Sequence, residues 1–132
     1  MGQPAARKGD AVVGIDIHIV MVPGPPVVPT PLPHAFSGTI DSDTVSSVTI
    51  EGAEAATVGS VAKNDPQHVA TPPGTSFQSP PSNQGSVSSG SQTVTIGGQA
   101  AARTGDPVRT CNDPADADTS AITAGASTVT IG

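Results

Sequence analysis

The chain has 132 residues, a formal charge of −6 and an apolar fraction of 35% drawn largely from Ala and Val, with two Phe and neither Trp nor Tyr. That length suits one domain spanning residues 1–132. Small side chains give the usual ~25 cal/mol per Å² of buried apolar surface little to act on, so a conventional core is not the whole account of the fold. Five Lys and Arg in total exclude a basic nucleic-acid surface, and a single cysteine excludes an internal disulfide.

Residues 1–10 are polar and charged, with no apolar stretch behind a basic start, so no secretory leader is expected. They include Gly2-Gln3-Pro4-Ala5-Ala6-Arg7-Lys8-Gly9-Asp10. The apolar run 11–22 contains Asp16 and His18 and stops at Pro23, too short and too polar to span a bilayer. Residues 23–33, PGPPVVPTPLP, read as an extended, polyproline-like connector, because each Pro fixes its own φ and restricts its predecessor. The triplet Val48-Thr49-Ile50 reads as a short strand. It precedes Gly52-Ala53-Glu54-Ala55-Ala56-Thr57-Val58-Gly59-Ser60, a weaker copy of the opening segment. Residues 71–92, rich in Ser, Gly and Pro, read as an irregular surface loop. A second triplet, Val94-Thr95-Ile96, precedes a strong copy, Gly98-Gln99-Ala100-Ala101-Ala102-Arg103-Thr104-Gly105-Asp106. A third, Val129-Thr130-Ile131-Gly132, stands alone at the far end.

Gly and Pro supply 29 of the 132 residues, a composition near that of disordered chains. Repetition at offsets of 50 and 46 residues argues instead for three similar structural units. The unpaired final triplet belongs in front of Gly2, which predicts a closed all-β arrangement with pseudo-threefold internal repeats and its ends side by side. Closure also removes exposed strand edges. The Ala-rich pieces are too short and too interrupted by Gly and Pro for a helix.

Three histidines, His18, His34 and His68, and the one cysteine, Cys111, make a complete tetrahedral zinc set. His18 lies nine residues after Gly9 and His68 nine after Gly59, so the repeat makes them equivalent; Cys111 lies six after Gly105, in the corresponding loop of the third unit. Three such loops would converge on one axis, with His34 as the fourth ligand. One structural zinc contributes roughly 10–16 kcal/mol to small folds, which suits a chain so poor in aromatics. Asp16 and Asp65 are candidates to orient the imidazoles, although loop aspartates more often form turns. No catalytic residues are expected: a filled set leaves no open coordination position, and nothing supplies a base or oxyanion site to make Cys111 a nucleophile.

Pro4-Ala5-Ala6-Arg7 is the motif of the PAAR-repeat family, and residues 13–38 resemble the first loop of PAAR-like tips from phage-tail-like particles. The resemblance implies a small conical β fold with one zinc near its apex, held by His18, His34, His68 and Cys111. It implies a role as the structural tip of a contractile injection system, of the type VI secretion or phage-tail-like kind, that sharpens a trimeric VgrG-like spike and helps pierce the target envelope. One tip would cap each trimer, with transient membrane contact and with the Val-Thr-Ile strands as candidate base. Docking of effector cargo, with 71–92 as its place, is the alternative. Such a tip would be made in the cytoplasm, assembled into a particle and delivered outside the cell or into its target. The second copy, Glu54-Ala55-Ala56-Thr57, lacks Pro and Arg, and Ala100 replaces Pro in the third, so the motif arginines carry no assigned role.

Overall fold

A computed structural model describes residues 2–132. Its strands, in chain order, are β1 (Gln3–Pro4), β2 (Ala11–Val22), β3 (Val28–Ser42), β4 (Val45–Ile50), β5 (Ala53–Ala55), β6 (Val61–Asn64) and β7 (Ser76–Phe77). The remainder are β8 (Gln84–Val87), β9 (Thr95–Ile96), β10 (Gln99–Ala100), β11 (Pro107–Thr110), β12 (Ala117–Ile122) and β13 (Thr130–Ile131). Among the described residues there is no helix, as the composition required.

Six strands close a barrel in the order β2-β3-β6-β8-β11-β12 and back to β2, every pairing antiparallel, and β7 adds to β2 outside it. Not all strands are short: β2 has 12 residues and β3 has 15. Along β2 the two faces alternate, with Val12, Asp16, His18 and Val20 buried and Val13, Ile15 and Ile17 exposed.

The three repeat copies become three interlocked turns. In the first, Asp10 N–H donates to the Arg7 carbonyl at 3.1 Å, in the second Ser60 to Thr57 at 3.0 Å, and in the third Asp106 to Arg103 at 3.1 Å. Each turn places a glycine at positive φ, 94° for Gly9, 95° for Gly59 and 94° for Gly105, where a side chain is disfavoured. The preceding alanines hydrogen-bond in a cycle: Ala6 N–H to Ala102, Ala102 N–H to Ala56 and Ala56 N–H to Ala6, each at 3.0 Å. Three backbones meeting this closely leave room for little beyond a methyl group, which accounts for the alanine run in all three copies.

The core is accordingly a stack of three-membered rings. Ala5, Ala55 and Ala101 form one, and Ala6, Ala56 and Ala102 the next. Val12, Ala62 and Val108 follow, then Ile40, Val87 and Ile122, and no member of the four rings is more than 1% exposed. The motif arginines gain a role here. The Arg7 guanidinium grips the Asp10 carboxylate with Nε–Oδ2 at 3.2 Å and Nη2–Oδ1 at 3.0 Å, and Arg103 grips Asp106 likewise at 3.1 and 2.9 Å. In the second copy the Ser60 hydroxyl does the same work on a smaller scale, accepting from Thr57 N–H at 3.0 Å and donating to the Asp43 carbonyl at 2.8 Å.

Each unit also has a Val-Thr-Ile hairpin. Ile50 faces Ala53, Ile96 faces Gln99 and Ile131 faces Gln3, so the last strand does complete the first unit. Two segments differ from expectation. The proline-rich connector is partly strand, with Pro29, Pro31 and Pro33 in β3 opposite Met21, Ile19 and Ile17. The backbone groups of Ile17 and Ile19 point away from β3, to Asn112, Asp113 and Gln78, so these are the non-hydrogen-bonded pairs. The missing proline N–H groups therefore fall on the outer edge of β3 and cost no ladder bond. Residues 71–92 are not a plain surface loop: they contain β7 and the barrel strand β8, whose Val87 is 1% exposed.

Candidate metal centre

β2 carries Asp16 and His18 inward, and β3 brings His34 opposite Asp16 in register. His68 follows β6 on the loop that returns toward β3, and Cys111 immediately follows β11. These elements converge because β2, β6 and β11 are the repeat-equivalent strands leaving the three turns. The three imidazoles form a near-equilateral triangle, with centroids 5.5 Å apart for His18–His34, 5.1 Å for His18–His68 and 5.6 Å for His34–His68. Rings bound at ~2.1 Å to a tetrahedral ion have centroids about 5 Å apart, so the triangle has the size of a three-histidine site.

The rings differ in what satisfies them. His34 is fully engaged, its Nδ1 paired with the Leu32 carbonyl at 2.9 Å and its Nε2 accepting Thr71 N–H at 3.1 Å. His68 has Nδ1 near Asn64 Nδ2 at 3.2 Å and Nε2 at 2.9 Å from Asp16 Oδ2. His18 is 1% exposed, yet neither ring nitrogen has a hydrogen-bond partner; Nδ1 lies 3.4 Å from Asp113 Oδ2 without a hydrogen bond. Orphaned buried nitrogens are rare and costly, so His18 is built to meet something more than protein.

Asp16, His18, His68 and Cys111 offer ligand atoms within 4.8 Å of one another, a group that includes Asp16 in place of His34. His34 stands beside it at ring-contact distance. Asp16 is 0% exposed and is the common acceptor of the cluster: its Oδ1 accepts the Thr110 and Thr119 hydroxyls, and its Oδ2 also faces Cys111 Sγ at 3.5 Å. Asp65, the other candidate from the sequence, is exposed and lies outside the cluster. Burial first, and then the Asp16 carboxylate, push the Cys111 thiol up from its ordinary pKa, while burial holds His34 below the usual imidazole value. Without a cation the Cys111 proton is thus retained; a bound dication would reverse that by favouring the thiolate.

Both phenylalanines of the chain attend this cluster. Phe77 sits 5.8 Å from His18 and 5.2 Å from His34, and Phe36 lies 6.3 Å from His68. Sequence reasoning missed them, along with Asn83, whose Oδ1 accepts His68 N–H at 2.7 Å; no motif marks these positions. Imidazole nitrogens, a carboxylate and a cysteine sulfur gathered this closely are a donor set that can hold a metal ion.

Residues 78–132 match the family model described as PAAR motif, a stretch that includes the third repeat copy and Cys111. No curated protein matches the chain.

Proposed function

We propose that this chain, a PAAR-repeat protein, is the tip of the central spike in a contractile injection system. The observation that carries the reading is the cyclic Ala6–Ala102–Ala56 hydrogen bonding, which makes one chain threefold. A single monomer of this kind can meet a threefold partner with three similar surfaces. The hairpins at Ile50, Ile96 and Ile131 form the base on a trimeric VgrG-like spike, one tip per trimer, and the histidine cluster lies at the far end of the barrel strands.

In this reading His18, His34, His68 and Cys111 hold one structural zinc, which cross-links the apex and resists unfolding when the spike is driven through an envelope. The role is mechanical rather than enzymatic. The protein acts outside the cell that makes it, after assembly into the particle. Native mass spectrometry with a trimeric spike protein tests the core of this: one tip per three spike chains is expected, and absence of any complex would overturn it.

A second reading, docking of effector cargo, is favoured by one observation. Val13, Ile15 and Ile17 are 48%, 52% and 38% exposed in a row on β2. Their repeat equivalents in the second unit are Lys63, Asp65 and Gln67, so the frame does not demand apolar residues there. Charged replacements at Val13 and Ile15 that leave spike binding intact but release cargo would separate the two roles.

A further inference from the structure

The buried carboxylate of Asp16 is not accounted for by the fold. The positions equivalent to it, seven residues past Gly59 and Gly105, are Pro66 and Asn112, so the threefold frame has no need of a charge there. Among the described residues the ion pairs of Arg7, Lys63, Arg103 and Arg109 go to other carboxylates, and the pair made by Asp16 is with His68. A carboxylate with 0% exposure and no fixed cation is expensive unless something compensates it. The protein nevertheless secures it, with two hydroxyls, from Thr110 and Thr119, on Oδ1.

Its other oxygen faces the cluster. Oδ2 accepts from His68 Nε2 at 2.9 Å, the ring nitrogen that faces the cluster, while Nδ1 accepts from the Asn64 amide at 3.2 Å on the other side of the ring. The same oxygen lies 3.5 Å from Cys111 Sγ. The second sign that a cation belongs here is independent of Asp16: His18 keeps two unpartnered ring nitrogens at 1% exposure.

We propose that Asp16 is the charge-balancing residue of the metal centre. It acts from outside the coordination shell, and its charge together with that of the Cys111 thiolate neutralises a bound divalent ion. Three imidazoles and one thiolate alone would leave the ion with a net positive charge in a buried site, where such an imbalance is poorly screened. The inference rests on the metal-binding reading above.

The test is competitive titration of Zn²⁺ and Co²⁺ into metal-free wild-type and Asp16→Asn proteins against a chromophoric chelator. Asp16→Asn should still take one ion with unchanged Co²⁺ ligand-field bands, and bind it about 10–100-fold more weakly. Unchanged affinity overturns the proposal, and so do shifted bands, which would make Asp16 a ligand. Thr119→Val, at an exposed position that anchors Oδ1, should weaken binding in the same direction and by less. It keeps the test open if Asp16→Asn fails to fold, and unchanged affinity in it then counts against the role. A wild-type protein that takes no metal overturns the underlying reading, whereas normal wild-type binding with unaffected variants overturns the part assigned to Asp16 alone.

Discussion

Gln3 and Ile131, 128 positions apart in the chain, face each other in an antiparallel pair in the same register as Gln99 and Ile96. In the third unit the pair is joined by Gly97 and Gly98 at φ of 60° and 85°, and in the second Ile50 and Ala53 are joined by Glu51 and Gly52 at 50° and 86°. Both are two-residue turns with two positive φ angles, the type that matches strand twist. In the first unit Gly132 and Gly2 stand at the corresponding positions.

Joining Gly132 directly to Gly2 would give Ile-Gly-Gly-Gln, the sequence already present at 96–99. A circular permutant with that junction, opened between Glu51 and Gly52, is expected to fold with a circular dichroism spectrum like the parent's and a thermal midpoint within a few degrees. The new opening lies at an exposed turn, where cuts are tolerated. A permutant that is unfolded at room temperature would show that the three units are not interchangeable.

Glycine positions separate strain from collision. Gly59 has φ of 95° and open space where a Cβ would stand, so Gly59→Ala should cost only the conformational strain, on the order of 1 kcal/mol. Gly38 packs against β6 so closely that an added Cβ would lie 2.0 Å from the Lys63 carbonyl oxygen, and that backbone has no room to retreat. Gly38→Ala should therefore break the β3–β6 pairing and lower stability well beyond Gly59→Ala. Urea denaturation of both variants checks the order, and equal losses would contradict it.

Much of the frame was legible from residues alone. The alanine runs, the Gly-Asp or Gly-Ser turns and the Val-Thr-Ile triplets each recur, so the threefold closure could be read directly. The convergence of the three rings was also legible, because the repeat places His18 and His68 identically, whereas the presence of Asp16 rather than His34 in the group of donor atoms within 4.8 Å was not. β8 was not legible: Gln84-Gly85-Ser86-Val87 has no apolar alternation, and it is a strand because β6 and β11 bind it on both sides. The strand character of Pro29, Pro31 and Pro33 was not legible for a related reason. Whether Pro suits a strand depends on which way its nitrogen points, and pairing with β2 decides that, not composition. The burial of Asp16 was not legible, because a carboxylate in a sequence gives no sign of being buried.

Glu51 predicts a pH dependence away from the metal centre. Its carboxylate accepts from the Thr128 hydroxyl and from Thr128 N–H at 2.7 Å, and it pairs with Arg7 at 3.1 Å. The Thr128 hydrogen bonds, led by the hydroxyl, hold its pKa below the ordinary 4.5. A depressed folded-state pKa means stability that is fully present above the unfolded value and is lost as pH falls through the folded one. Thermal midpoints of wild type and Glu51→Gln should differ at neutral pH and draw together below pH 4.5. Curves that stay parallel throughout would remove Glu51 from the acid sensitivity.

Metal removal gives the sharpest contrast at His18. Elemental mass spectrometry should find one zinc per chain, and zinc at a thousand times its Kd would stabilise the fold by about 4.1 kcal/mol. For a domain of this size that is a rise in thermal midpoint on the order of 10–20 °C, reversed by a chelator. His18→Leu replaces two orphaned buried nitrogens with an apolar group of similar bulk, a change that is near neutral or stabilising when no ion is present. The metal-free variant should thus melt at or above the metal-free parent, yet gain nothing from zinc and melt below the loaded parent. A parent whose midpoint is unmoved by zinc, or a variant that still gains from it, would mean that the histidine cluster is packing rather than a ligand set.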